Sequence, residues 1–263
     1  MSSDDDSDGE QRAMRLLMPC EDSDDDNEAF DAAWAAATAG SGGDGMHEAM
    51  VGGVMLRVRT QARLGIGFQL WPAAQAAVSY AALEPALWRG RRVLELGSGV
   101  GLTGLALAAL GAHVTLSDLP EVADGVLGDN VAANADAVAR VGGTAGVVAL
   151  CWGDERHTDR LRTPGQLPYD VLLLADCVYR RELFSPLVCT LRALASPHTL
   201  LVIAHLKRWK SESAFWRLLE RHFTPREEAF VQASPVAGQR RPVRVFTCRL
   251  RNAADSGATC SQP

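Results

Sequence analysis

The sequence predicts an α/β protein: a mostly parallel sheet with helices on both faces, closed by an antiparallel carboxyl-terminal hairpin. Three observations predict it. Five short apolar runs alternate with helical patterns between residues 92 and 221, the order of a parallel sheet with crossover helices. The first run ends in a glycine-rich turn, Val93-Leu94-Glu95-Leu96-Gly97-Ser98-Gly99-Val100-Gly101. The last two extended segments have no helix between them.

Taken in order, the alternating stretch Val54-Met55-Leu56-Arg57-Val58 opens the ordered structure as a strand. Trp71–Leu87 reads as a helix with Pro72 in its first turn, where the missing N–H costs nothing. Strands follow at Arg92–Leu96, His113–Ser117, Val147–Leu150, Tyr169–Ala175 and Thr199–Ala204. Helices are expected at Leu102–Leu110, Glu121–Ala133, Arg181–Ala195 and Ser211–Arg221. Glu227–Gln232 and Val243–Leu250, joined by a Pro/Gly-rich loop, read as a hairpin on the sheet edge.

The 263 residues suffice for one large α/β domain plus tails, and 47% hydrophobic with 22% charged residues fits a soluble globular chain. No apolar run approaches the roughly 20 residues that cross a bilayer. The beginning is acidic rather than basic and then apolar, so a cytoplasmic location, or also a nuclear one, is expected. Residues 1–31 hold twelve carboxylates against Arg12 and Arg15, a net −10, which leaves +4 on the remainder of a chain of net charge −6. Residues 1–44 therefore read as an acidic disordered tail, with a short helix near Glu28–Ala37 and a flexible joint at Gly40–Gly43. The folded domain is expected over residues 45–251, with a second tail at 252–263. Of the 26 basic residues only Lys207 and Lys210 are lysines. Six cysteines lie scattered with no Cys-x-x-Cys pair, against a metal site or a disulfide framework. No metal, nucleic-acid or membrane partner is expected, and the domain is expected to be a monomer.

The candidate chemistry gathers at strand ends. Glycines at 97, 99 and 101 let a ligand approach the backbone, and the helix that follows supplies free N–H groups; a tight turn in any α/β protein would look similar. Gly99-x-Gly101-x-x-Gly104 also fits a dinucleotide-binding turn, but that match begins two residues after Gly97 has started the turn. Asp118 ends the next strand, where a carboxylate can accept both hydroxyls of a ribose or form a turn before Leu119-Pro120. Trp152, in Leu150-Cys151-Trp152-Gly153-Asp154, can cover an adenine face or fill the core beneath its loop, and Asp154 can cap the next segment. Asp176 and Tyr179 close the strand Asp170-Val171-Leu172-Leu173-Leu174-Ala175 and can orient a nucleophile, or cap and pack. Trp71 can wall a pocket or staple its helix to the sheet.

Together these segments resemble the seven-strand class I methyltransferases that use S-adenosyl-L-methionine, and more narrowly the methyltransferase-like family of protein-lysine methyltransferases. The resemblance spans about Val54 to Leu250. It is carried by Trp71-Pro72, Val93–Gly101, Thr115-Leu116-Ser117-Asp118-Leu119-Pro120, Asn130, Leu150-x-Trp152-Gly153-Asp154 and Ala175-Asp176-Cys177-Val178-Tyr179. It implies a seven-strand Rossmann-like sheet. Gly97, Gly99 and Gly101 would hold the methionine part of the cofactor, with Glu95 near its amino group. Asp118 would bind the ribose, Trp152 would flank the adenine, and Trp71 and Ala175 would complete the cofactor pocket. Asp176 and Tyr179 would face the acceptor, a lysine of a protein substrate. Methylation of protein arginine or histidine, or of a small molecule, and a cofactor-binding module without turnover are the alternatives. An NAD-linked dehydrogenase fits less well, because Arg180 and Arg181 stand where a lysine partner for Tyr179 would be wanted.

Overall fold

Strands buried on both faces of a sheet must be apolar throughout, and the central runs of this chain are. The computed structural model describes residues 44–162, 168–208, 210–232 and 242–251. Its strands are β1 (Gly45–Val51), β2 (Val54–Thr60), β3 (Arg92–Leu96), β4 (His113–Asp118), β5 (Thr144–Ala149), β6 (Val171–Ala175), β7 (Leu200–Leu206), β8 (Glu227–Gln232) and β9 (Val243–Arg249). Its principal helices are α1 (Pro72–Leu83), α2 (Leu102–Ala109), α3 (Gly128–Ala139), α4 (Glu155–Leu161), α5 (Phe184–Leu194) and α6 (Glu212–Leu219).

Among the described residues, seven strands form one sheet in the order β5-β4-β3-β6-β7-β9-β8. The first five run parallel, while β9 is antiparallel to both β7 and β8. The expected hairpin is present, with β8 on the edge and β9 inserted against β7. Alternation along each strand divides the core in two. Val93, Val171, Leu173 and Val202 join one cluster with residues of α1, α2 and α3. Leu94, Leu96, Leu172, Leu174 and Ile203 join the other with residues of α5 and α6. Helices therefore cover both faces, as expected. The chain winds one way from β3 to β5 and the other way from β6 to β7. The strand ends at β3 and β6 are thus the switch point, where an open α/β sheet leaves a crevice.

Some boundaries differ from the expectation for local reasons. Helix α1 stops at Leu83, because Pro85 forces Glu84 out of helical geometry, to φ −135° and ψ 71°. Strand β1 was not foreseen. It pairs with β2 through the two-residue turn Gly52-Gly53, whose φ values of 57° and 81° are those of a tight hairpin loop. Helix α4 was not foreseen either; Asp154 caps it, accepting from the N–H groups of Arg156 and His157. Strand β5 starts three residues earlier than the apolar run suggests. The expected acidic tail, its short helix, the Gly40–Gly43 joint and the tail at 252–263 lie outside the described residues, apart from Asp44. No helix among the described residues is long and apolar enough to cross a membrane.

The β1–β2 hairpin is not a member of the large sheet, yet it is fastened to it. Strand β2 alternates buried and exposed residues, and Leu56 and Val58 are fully buried against the domain. Its free edge meets two side-chain amides of α3. Asn130 Oδ1 accepts the N–H of Arg59 at 2.8 Å, and its Nδ2 donates to the carbonyls of Arg59 at 3.0 Å and Val100 at 2.8 Å. Asn134 treats Arg57 in the same way, at 2.9 and 2.7 Å. Two amides thus stand in for a neighbouring strand and satisfy main-chain groups that burial would otherwise leave unpaired.

Candidate active site

Strand β3 delivers the glycine turn to the switch point. Gly97, Gly99 and Gly101 all have positive φ, at 68°, 53° and 86°. At Gly97 a Cβ would stand 2.8 Å from Cys177 Sγ and 3.0 Å from Trp152 Cζ2, so only glycine keeps this wall flat. Beneath the turn lies Glu95, 1% exposed, whose Oε2 accepts the N–H of Gly104 at 3.0 Å. Burial pushes its carboxyl up to about 8, against weaker opposing bonds from Ser98, Gly104 and Thr103. The folded chain therefore keeps a proton that the unfolded chain releases near its ordinary value of 4.5. The resulting stabilisation is complete below about 4.5 and is lost as pH rises through about 8. Urea midpoints measured across this window should fall with rising pH, and Glu95→Gln, which keeps an acceptor for Gly104, should flatten the decline.

Strand β4 places Asp118 opposite the turn. Oδ2 accepts the N–H of Gly99 at 2.7 Å, and Oδ1 accepts that of Leu119 at 2.8 Å. Burial pushes this carboxyl up to about 6, the two backbone donors opposing the rise, so it is ionised at neutral pH. Each oxygen keeps a further lone pair for an incoming hydroxyl. Trp152, partly buried, lines the same wall and also packs on the core. Cys177 donates to the carbonyl of Leu96 at 3.1 Å. Burial, then the charge of Asp118, push its thiol well up, and it stays a protonated wall of the cleft rather than a nucleophile.

Strand β6 supplies the other side. Asp176 sits at φ 63°, the one left-handed non-glycine position among the described residues, with its N–H bonded to the carbonyl of Ala204 on β7 at 2.9 Å. Arg208, just beyond β7, grips both carboxylate oxygens, Nη1 to Oδ1 at 2.6 Å and Nη2 to Oδ2 at 2.7 Å. The pair is nearly dry, with side chains 2% and 7% exposed. Burial alone would lower the guanidinium, but Asp176 outweighs it and holds Arg208 above its ordinary value. The guanidinium also lies over the Trp71 ring, 5.4 Å from its centroid. Trp71 donates from Nε1 to the carbonyl of Ile66 at 2.9 Å and so both anchors its segment and walls the cleft. Burial, then the charge of Asp118, push the Tyr179 phenol up, which leaves it protonated.

These side chains line one cleft of about 930 Å³, including space open to solvent. Of the expected residues, Trp71, Gly97, Gly99, Asp118, Trp152, Ala175, Asp176 and Tyr179 face it. Glu95 and Gly101 lie behind it, where they shape the turn. Sequence reasoning missed Arg208, Cys177 and Ile66. Arg208 had a usable signal: it follows the carboxyl end of a central strand, where such sheets place ligand-facing residues. The residues fit S-adenosylmethionine, with a flat glycine wall for the methionine part, an ionised carboxylate for the ribose and an indole for the adenine. No group of residues suited to a metal ion occurs among the described residues.

Comparison with known proteins agrees with this geometry. The family described as lysine methyltransferase matches residues 52–222. EEF1A lysine methyltransferase 3 of Mus musculus is 40% identical over 163 residues, 61% of this chain and 66% of that protein. Protein N-lysine methyltransferase METTL21A of Mus musculus is 35% identical over 162 residues, 62% of this chain and 71% of that protein. The matched stretch thus spans about two thirds of these relatives. Among solved structures, the 16S rRNA N2 G1207 methyltransferase RsmC of T. thermophilus, in complex with AdoMet and guanosine, superposes with a TM-score of 0.56 at 18% identity, over 79% of this chain and 50% of that one. At that identity the likeness establishes the fold: a Rossmann-like methyltransferase sheet. With the fold, the cleft and the family match in agreement, the chain belongs to the lysine methyltransferase family.

Proposed function

We propose that this chain transfers a methyl group from S-adenosylmethionine to the ε-amine of a lysine in a protein substrate, at the cleft between β3 and β6. One observation carries the reading: Gly97, Gly99, Asp118 and Trp152 line the same cleft as Tyr179 and the Asp176-Arg208 pair. When bound, the cofactor supplies a methyl group already activated by its sulfonium. Gly97 and Gly99 admit its methionine end, Asp118 accepts the ribose hydroxyls, and Trp152 covers the adenine. Ile66, Trp71 and Leu183 make the opposite lining apolar. A lysine amine, ordinarily charged up to a pKa of about 10.4, must lose its proton before it can attack. Burial among these side chains favours its neutral form, and the Tyr179 phenol oxygen can accept an N–H of the amine and so leave its lone pair free to be aimed at the methyl group.

The names of the relatives suggest elongation factor 1A as the first acceptor to test. The reading includes a monomer with its catalytic domain over residues 45–251, working in the cytoplasm, or also in the nucleus. Cys151, Cys177, Cys189 and Cys248 are free thiols, which suits a reducing compartment. The purified chain should be incubated with radiolabelled methyl donor and either elongation factor 1A or cell lysate, and the labelled residue mapped by mass spectrometry. Label on lysine is expected. Label on arginine, histidine or a small molecule would overturn the acceptor assignment.

A further inference from the structure

We propose that Arg208 is a positioning residue for the acceptor: by taking both oxygens of Asp176, it presents the incoming lysine with a charge-balanced pair instead of a bare carboxylate. The inference rests on the cofactor reading of the cleft. A lone carboxylate beside the acceptor would hold the amine as ammonium, which has no lone pair to give. The Arg208 guanidinium, held against both oxygens of Asp176 at 2.6 and 2.7 Å, balances that charge at the point where the amine would meet it.

Arg208 is itself held at both ends. Its backbone N–H donates to Glu212 Oε1 at 2.8 Å, while Oε2 of that carboxylate bonds His205 Nε2 at 2.8 Å. Its guanidinium rests on Trp71. The carboxylates facing this region are Asp176 on β6, Asp118 across the cleft and Glu212 behind the guanidinium. The last two are engaged by Gly99 and Leu119 and by His205 and Arg208. The choice of cation follows from chemistry. A guanidinium forks onto both carboxylate oxygens and stays charged, whereas a lysine here would put a second amine in the acceptor site. In the step this serves, the neutral amine's lone pair forms the N–C bond as the C–S bond breaks and its electrons remain on sulfur. The proton lost beforehand goes to water.

The test uses two cofactor analogues and needs no protein acceptor. Sinefungin carries an ammonium group where the sulfonium methyl stands; S-adenosylhomocysteine is uncharged there. Their affinities for the full chain at neutral pH give a ratio that reads the charge of the acceptor site. Arg208→Gln should shift that ratio toward sinefungin by about tenfold or more, since a unit charge at this range in a buried site is worth at least that. Asp176→Asn should shift it the opposite way, and Asp176→Asn with Arg208→Gln together should return it to within a few-fold of the parent. The opposed directions keep the test decisive if either single variant fails to fold. A ratio unmoved by the variants, with both affinities falling together, would reduce Arg208 to a structural support and overturn the proposal. A parent chain that binds neither analogue would instead overturn the cofactor reading beneath it.

Discussion

Asp118→Ala is expected to weaken S-adenosylhomocysteine binding about a hundredfold, a loss of about 3 kcal/mol from charge-assisted bonds to two ribose hydroxyls. The substitution also removes the acceptor for Gly99, 2.7 Å away, so the glycine wall loses its fixed position along with the ribose its partner. Calorimetry on the parent and the variant measures the effect. Asp118→Asn should fall between them, because an amide retains one acceptor oxygen but turns a donor toward one of the two backbone N–H groups. A change of only a few-fold in Asp118→Ala would mean that the ribose binds elsewhere.

Asn130→Ala should destabilise the domain by about 3 kcal/mol. Asn130 is 3% exposed, and its removal strands the N–H and carbonyl of Arg59 and the carbonyl of Val100. Denaturant unfolding gives the magnitude, and hydrogen exchange in residues 45–60 should show the hairpin opening before the sheet. Asn130→Asp should do no better than alanine, since a carboxylate would face the two carbonyls that the Nδ2 group now serves. Val100 belongs to the glycine turn, so cofactor affinity should fall as well.

The sheet was legible in the sequence because its strands are short apolar runs separated by helical patterns, and five of them ended in readable punctuation. This part of the cleft lining was legible for the same reason: Gly97, Gly99, Asp118 and Trp152 each close or follow a strand. What escaped depended on contacts between distant segments. The Gly52-Gly53 turn is a hairpin signal, but Gly45–Val51 has little strand character of its own and becomes a strand by pairing with β2. Arg208 looks like one more surface cation until β6 and β7 lie side by side and bring it to Asp176, 32 positions earlier. Asn130 was recognisable as part of a pattern, but its three hydrogen bonds reach 30 and 71 positions away. Glu95, read as a cofactor contact, lies under the turn because Gly104, at the start of α2, offers it an N–H and no side chain to keep it away.

The amide clasp on β2 works as a gauge block. Asn130 and Asn134 are four residues apart on a helix, about 6 Å along its axis. Arg57 and Arg59 are two residues apart on a strand, about 6.7 Å. The two rulers nearly coincide over this one interval, and the alternation of strand faces leaves no second setting close by. A single-residue insertion or deletion between Arg57 and Arg59, or between Asn130 and Asn134, would therefore unseat both amides at once. The Gly52-Gly53 turn and the segment between β2 and α1 lie outside the interval. Changes of length there leave the gauge intact, so variation in this part of the chain should gather on either side of the clasp and spare the few residues within it.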